Sequence, residues 1–360
     1  MALEGSDLER EAELYRVGID EGDAATINYT NLAHVLVELG RPEEAMEALE
    51  DADRRFPDVP DIQFGIVDAY QAMDDYENAQ EVLTSVAERF SGSYDADGLV
   101  PGWEAVQAAV RGRLGRVRSL SDAAVPVAFA ANRIQDLVSI ALIPAYADLY
   151  AAGDTARAVA AVEEILTRYP LVDFEPADRE TLRFSDFFVR AGDPGRARAL
   201  LDRWESDRIG GDPSPSFYES VRALIALEEG DVDGAILQLK RLSAPGPARC
   251  DMCAQFDLGV AQERAGHRDA AIAAYEAHVD TTGSFRLWAA HYSIPVALER
   301  LGALLEERAR EADPPTPADL EAAARYDSRF VELWADADEE LQPRVRAAQA
   351  RLEAILKETG

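Results

Sequence analysis

The chain has 360 residues, 48% of them hydrophobic, and carries 68 acidic against 36 basic side chains for a formal net charge of −32. A field of that sign repels phosphate backbones and anionic headgroups, which excludes nucleic acid as the expected partner. No stretch approaches the ~18 to 20 apolar residues of a membrane-spanning helix, Met1–Asp20 is acidic and lacks a signal-peptide core, and two cysteines cannot build a disulfide framework.

The composition favours helix: Ala, Leu, Glu and Arg dominate. Only Lys240 and Lys357 are lysines, a bias that with the acidity suits a high-GC genome or a saline habitat and concerns solubility rather than activity. In chain order, Glu9–Ile19 reads as the second helix of a helix pair whose first helix is missing, so residues 1–26 are expected to be a cap or the remnant of a longer upstream region. Asn31–Pro57 then places a small residue at Ala45, a large one at Leu49, a small one at Ala52 and a closing Pro57. The same offsets return at Ala79, Leu83 and Val86, 34 residues after Ala45. Residues 91–134 are degenerate, with one further unit expected around Trp103–Leu120.

The series resumes with Ala158, Val162 and Ile165, then Ala197, Leu201 and Trp204, then Ala235, Leu239 and Leu242, then Ala271, Tyr275 and His278. Between paired helices lie Leu39-Gly40-Arg41-Pro42, Ala152-Gly153-Asp154, Ala191-Gly192-Asp193, Glu229-Gly230-Asp231 and Ala265-Gly266-His267. Each offers glycine for a left-handed helix ending, and most follow it with a residue suited to starting the next helix. Tyr70, Phe187, Trp204 and Tyr275 occupy packing offsets and are expected in the core. The last unit, 293–360, has a first helix around Leu298–Gly302, a proline-rich insertion, a second helix around Ala322–Trp334 and a closing amphipathic helix over Leu341–Lys357.

These offsets and the 34-residue spacing resemble the tetratricopeptide repeat. The expected fold class is therefore all-α: a right-handed α-solenoid of tetratricopeptide-like helix pairs, running over 27–292 between the cap and the closing unit. Small residues let paired helices approach while large ones fill the gap to the neighbouring unit, and no unit buries its face alone.

Longer stretches resemble something narrower. VRGRLGRVRSL (Val110–Leu120), GDTARAVAAVEEILTRYPL (Gly153–Leu171), AGDPGRARALLDRWE (Ala191–Glu205), CDMCAQFDLGVAQERAGHRDAAIAAYE (Cys250–Glu276), ALERLGALLEER and RFVELWADADEELQPRVRAAQARL are similar to the C-terminal repeat region of bacterial serine/threonine protein kinases. The resemblance implies a regulatory, sensory or docking array once attached to a kinase. The kinase itself is absent: there is no glycine-rich phosphate loop and no Asp-Phe-Gly. His267-Arg268-Asp269 spells the catalytic-loop tripeptide, but Ala274 stands where a metal-binding asparagine would be needed.

No catalytic motif is present, so no enzyme activity and no cofactor are expected. Cys250 and Cys253 are the one constellation with chemical potential. Together with His278 and His291 they could furnish a metal site; alone they could form a redox pair at a helix N-terminus; the plainest reading is two small semi-buried residues. His267 sits too far along its helix from Cys253 to join them. The positive expectation is a protein or peptide ligand in the concave groove, whose first-helix positions include Thr30, His34, Phe64 and Asp68. These lack the lysine and asparagine of a carboxylate clamp, so an apolar or basic segment suits them better. The alternative is a thiol-redox or metal-responsive sensor centred on Cys250 and Cys253. The cytoplasm is the default compartment, with an extracytoplasmic one expected only if a membrane segment lies upstream.

Overall fold

A computed structural model describes residues 4–21, 25–207, 215–243, 251–281, 283–312 and 316–359. Among them there are α-helices and short 3-10 or π turns, and no strand. Helix α1 (Glu4–Asp20) precedes a run of pairs: α2 (Thr26–Glu38) with α3 (Pro42–Arg55), α4 (Pro60–Ala72) with α5 (Tyr76–Arg89), α6 (Val100–Val110) with α7 (Leu114–Ala130), and α8 (Ile134–Ala147) with α9 (Thr155–Arg168). Next come α10 (Thr181–Arg190) with α11 (Pro194–Asp207), α12 (Pro215–Glu228) with α13 (Val232–Leu242), and α14 (Asp251–Arg264) with α15 (Arg268–Asp280). The short α16 (Arg286–Ala290) leads into the pair α17 (Ser293–Glu311) and α18 (Pro317–Leu333), and α19 (Gln342–Thr359) follows. The chain is an all-α, right-handed solenoid of tetratricopeptide-like helix pairs.

The two helices of a pair differ in how they are buried, and the spacing of apolar residues says why. In α3 only Pro42, Ala45, Leu49 and Ala52 are buried, and in α5 only Ala79, Leu83 and Val86, so these helices bury one narrow stripe and carry charge elsewhere. The first helices are buried on a broad front: α4 is buried continuously from Ile62 to Ala69, and α8 buries Leu137, Val138 and most of Ile140–Ala147. First helix therefore packs on first helix to make an inner wall, with the second helices outside. Phe187 and Tyr275 lie in the core as expected, whereas Tyr70 and Trp204 are only partly buried, Trp204 stacking on Tyr218 at 5.1 Å.

The turns close by the chemistry expected of them. Gly40, Gly153, Gly192, Gly230 and Gly266 all have positive φ, and the aspartates after three of them accept a hydrogen bond from the backbone three residues on, as Asp154 does from Arg157 N at 2.9 Å. Asp74 and Asn132 adopt the same left-handed conformation without glycine, which Asp and Asn tolerate better than most residues.

The array does not stay open. Its last helices return to the third pair, and one core joins residues of α6 and α7 to residues of α14 through α19. Trp334, fully buried, donates its indole N–H to Val110 O at 3.0 Å, and Asp338 N donates to Gly112 O at 3.0 Å. Gly112 has to be glycine twice over: φ is +70°, and a Cβ there would lie 2.9 Å from Ala337 Cβ. Around this contact Arg113 reaches Asp336 at 2.9 Å, Asp338 accepts from Gly115 N at 2.8 Å, and Arg344 donates to Tyr150 O and Ala151 O.

Truncating the residue at the centre of this contact leaves a cavity and an orphaned carbonyl. Trp334→Ala is expected to cost ~3 to 5 kcal/mol, against less than ~0.5 kcal/mol for Leu237→Ala on the exposed outer face. Urea unfolding of the two variants beside the parent chain checks this, and equal small shifts would contradict the assigned contact.

Candidate functional site

The inner wall surrounds a cavity of about 950 Å³ to which every first helix from α2 to α14 contributes. Thr30 and His34 come from α2, Phe64 from α4, Trp103 from α6, Tyr146 from α8, Asp186 and Arg190 from α10, Ser220 from α12, and Phe256 and Asp257 from α14. Further wall comes from His278 of α15 and from the chain's own segment 285–293. Its Phe285 ring packs on His34 at 5.1 Å and on Trp103 at 5.8 Å, and Trp288 meets Trp103 edge-on at 5.6 Å. Gly102 makes room for the last contact, since a Cβ there would lie 2.9 Å from the Trp288 ring.

The four first-helix residues thus face one region but have different fates. Thr30, His34 and Phe64 line the cavity, with Phe64 stacked on Trp103 at 5.8 Å, while burial lowers the pKa of His34. Asp68 is taken up by the chain itself: it accepts from Ser284 Oγ at 2.5 Å and from Phe285 N at 2.8 Å. Phe285 is held at φ +56°, a strained conformation for a bulky residue, and those two bonds together with the ring contacts hold it there. Sequence periodicity could not show this, because Asp68 and Phe285 lie more than 200 positions apart.

Across the cavity, Arg190 forks between two buried carboxylates. Its Nε donates to Asp186 at 3.0 Å, and Nη1 and Nη2 donate to Asp257 at 2.6 and 2.9 Å. Tyr146 adds a hydrogen bond to Asp186 at 2.5 Å. Burial works against the guanidinium charge, but the two carboxylates outweigh it and hold the Arg190 pKa well above its ordinary value. The fork ties α8, α10 and α14 together across the groove, and no motif in the sequence pointed to it.

His278 and His291, raised above as metal-site candidates, both lie in this wall, each 3% exposed. Burial lowers them to about 3 and about 4, so both imidazoles are neutral at pH 7. Among the described residues no group of three or more His, Cys, Asp or Glu side chains is placed to hold a metal ion. Cys250 lies outside the described residues, and for Cys253 only the backbone, in α14, is described. His267, Arg268 and Asp269 are structural: His267 pairs with Gln262 at 2.9 Å, Arg268 with Glu311, and Asp269 with Arg308 at 3.0 Å.

Residues 32–96 match the family model of the tetratricopeptide repeat. No curated protein matches the chain. Among solved structures, the chain is similar to a human IFIT1 dimer with m7Gppp-AAAA (14% identity, covering 99% of this chain and 95% of that one, TM-score 0.37). It is also similar to the yeast Tom70 (12% identity, 98% and 95% covered, TM-score 0.32) and to the APC/C hetero-tetramer Cut9-Hcn1 (11% identity, 99% and 84% covered, TM-score 0.35). At such scores the likeness decides nothing about what this chain binds. No helix of the described residues is long and apolar enough to cross a membrane.

The Asp68 contact sets a pH dependence. Burial raises its carboxyl from 3.8 to about 6, with Glu38 adding to the rise and the Ser284 and Phe285 bonds opposing it. The folded chain therefore holds this proton more tightly than the unfolded chain, so the contribution to stability is present below the unfolded value and is lost as pH rises through 6. The loss amounts to ~3 kcal/mol. Asp68→Asn, which stays neutral, is expected to gain about that much on the parent between pH 4 and 7 in urea unfolding. A constant difference across that range would contradict the assignment.

Proposed function

We propose that the chain is a binding scaffold that takes a segment of a partner protein into its inner cavity. The observation that supports this best is the convergence of every first helix from α2 to α14 on one space that the core leaves open. Its volume of about 950 Å³ lies at the upper end of sites that bury a whole small ligand, and accommodates several residues of extended peptide. Aromatic walls from Phe64, Trp103 and Trp288 suit apolar side chains, and the net charge of −32 favours approach by neutral or basic segments over acidic ones.

The kinase-like stretches quoted above support a narrower reading, in which this array is the regulatory or docking part of a serine/threonine-kinase-type signalling system. Binding rather than chemistry is then its contribution.

Fluorescence anisotropy with short labelled peptides of neutral, basic and acidic composition tests the cavity reading. Neutral or basic apolar peptides are expected to bind, and Ser139→Trp, which places an indole in the lining, is expected to weaken them at least ~10-fold, equivalent to ~1.4 kcal/mol. Binding that is indifferent to Ser139→Trp, or confined to acidic peptides, would overturn the proposal.

A further inference from the structure

A second cavity, of about 540 Å³, lies where the turn between α4 and α5 meets the closing helices α17 and α18. Arg286 of α16 lines it, 7% exposed, and takes no part in the wall of the larger cavity. Its Nη2 donates to Val279 O at 2.8 Å, the one hydrogen bond this side chain makes among the described residues. Nε and Nη1 have no partner there, yet neither is sealed from solvent, so both open onto the cavity. No carboxylate of the described residues stands within ion-pair distance of this guanidinium. A buried arginine is ordinarily paired, because taking its charge out of water is expensive.

The other arginines of the wall have carboxylates to turn to: Arg111 lies 4.0 Å from Asp336, and Arg329 lies 3.5 Å from Asp280. On the acidic side, Asp75 caps α5, accepting from Asn78 N at 3.1 Å. Asp74 is less engaged. Its Oδ1 accepts from the Tyr76 hydroxyl at 2.9 Å, and its backbone holds φ +57° at the position, two before the second helix, where five other turns place glycine. Burial and Asp74 raise the pKa of the Tyr76 hydroxyl, while the charges of Arg286 and Arg111 oppose the rise, so groups of both signs act on one atom. Even so, Asp74 comes within ion-pair distance of neither guanidinium.

Opposite charges held apart across an open space define what fits between them. A plain anion would satisfy Arg286 but meet Asp74, with the exposed Glu77 and Glu332 beside it, and a dianion such as phosphate would fare worse. A plain cation would suit the acids and leave Arg286 bare. A zwitterion serves both, and an α-amino acid carries its two charges on one carbon, as a site centred on one hydroxyl requires. Met73, Ile294, Leu298 and Leu333 supply apolar wall for its side chain.

We propose that this second cavity binds a free apolar α-amino acid, its carboxylate on Arg286 and its ammonium on Asp74. The site occupies a different space from the peptide-binding cavity and stands or falls apart from it.

Isothermal titration calorimetry on the full chain tests this with leucine and its two half-molecules, 4-methylpentanoate, which lacks the ammonium, and 3-methylbutylamine, which lacks the carboxylate. Leucine is expected to bind at least ~10-fold more tightly than either. Arg286→Gln is expected to abolish leucine binding. Asp74→Gly, which installs the residue that the five corresponding turns carry, is expected to weaken leucine at least ~10-fold while leaving 4-methylpentanoate as tight or tighter. Circular dichroism melts establish that each variant is folded, and should Arg286→Gln fail that check, Asp74→Gly decides alone. No binding of leucine, equal binding of leucine and either half-molecule, or leucine binding indifferent to Asp74→Gly would each overturn the site.

Discussion

Trp334, bonded to Val110 O beside the glycine turn at Gly112, holds the end of the array against its third pair. Stacked helix pairs alone produce an open spiral, in which each unit touches only its neighbours. Here the last pair and α19 lie against the third pair, so units distant in sequence share one core. Burying a side chain the size of Trp334 and pairing its N–H with a backbone carbonyl fixes how far the spiral can open. The glycine at 112 is what lets the two surfaces meet.

Closure has two consequences inside. It delivers segment 285–293 into the groove, where Asp68 and the aromatic rings of Trp103 and His34 receive it. It also removes the inner polar groups from water, so their state is set by one another. Arg190 is paired on both sides, the two histidines are neutral, and Asp68 keeps its proton to an unusually high pH. In a low-dielectric space a satisfied group rigidifies the wall, and an unsatisfied one is costly until something binds it.

Much of the fold was legible in the sequence because its rules are local. Ala45, Leu49 and Ala52 are all fully buried, as are Ala79, Leu83 and Val86, since offsets of three and four residues place them on one helical face. The glycine turns were legible for the same reason. What stayed hidden is what spans the array. The pairing of Trp334 with Val110 joins positions 224 apart, and nothing in a periodic pattern encodes that. Thr30, His34, Phe64 and Asp68 could be placed on first helices by spacing, but not the fact that Ser284 and Phe285 would occupy Asp68. His278 and His291 were visible in the sequence only as candidates beside two cysteines; that both line one wall among aromatic rings is a tertiary fact that no spacing encodes. The Arg190 fork had no sequence signal, because arginines and aspartates are abundant in a chain this charged.

A closed array fixes the separation between the third pair and the closing helices, whereas an open spiral leaves it variable. Spin labels at Arg116→Cys in α7 and Glu339→Cys after α18, with Cys250 and Cys253 replaced by serine, report the separation of the third pair from the closing helices. Pulsed electron resonance is expected to give one short, narrow distance distribution. A broad distribution extending to long distances would show instead that the array is an open spiral.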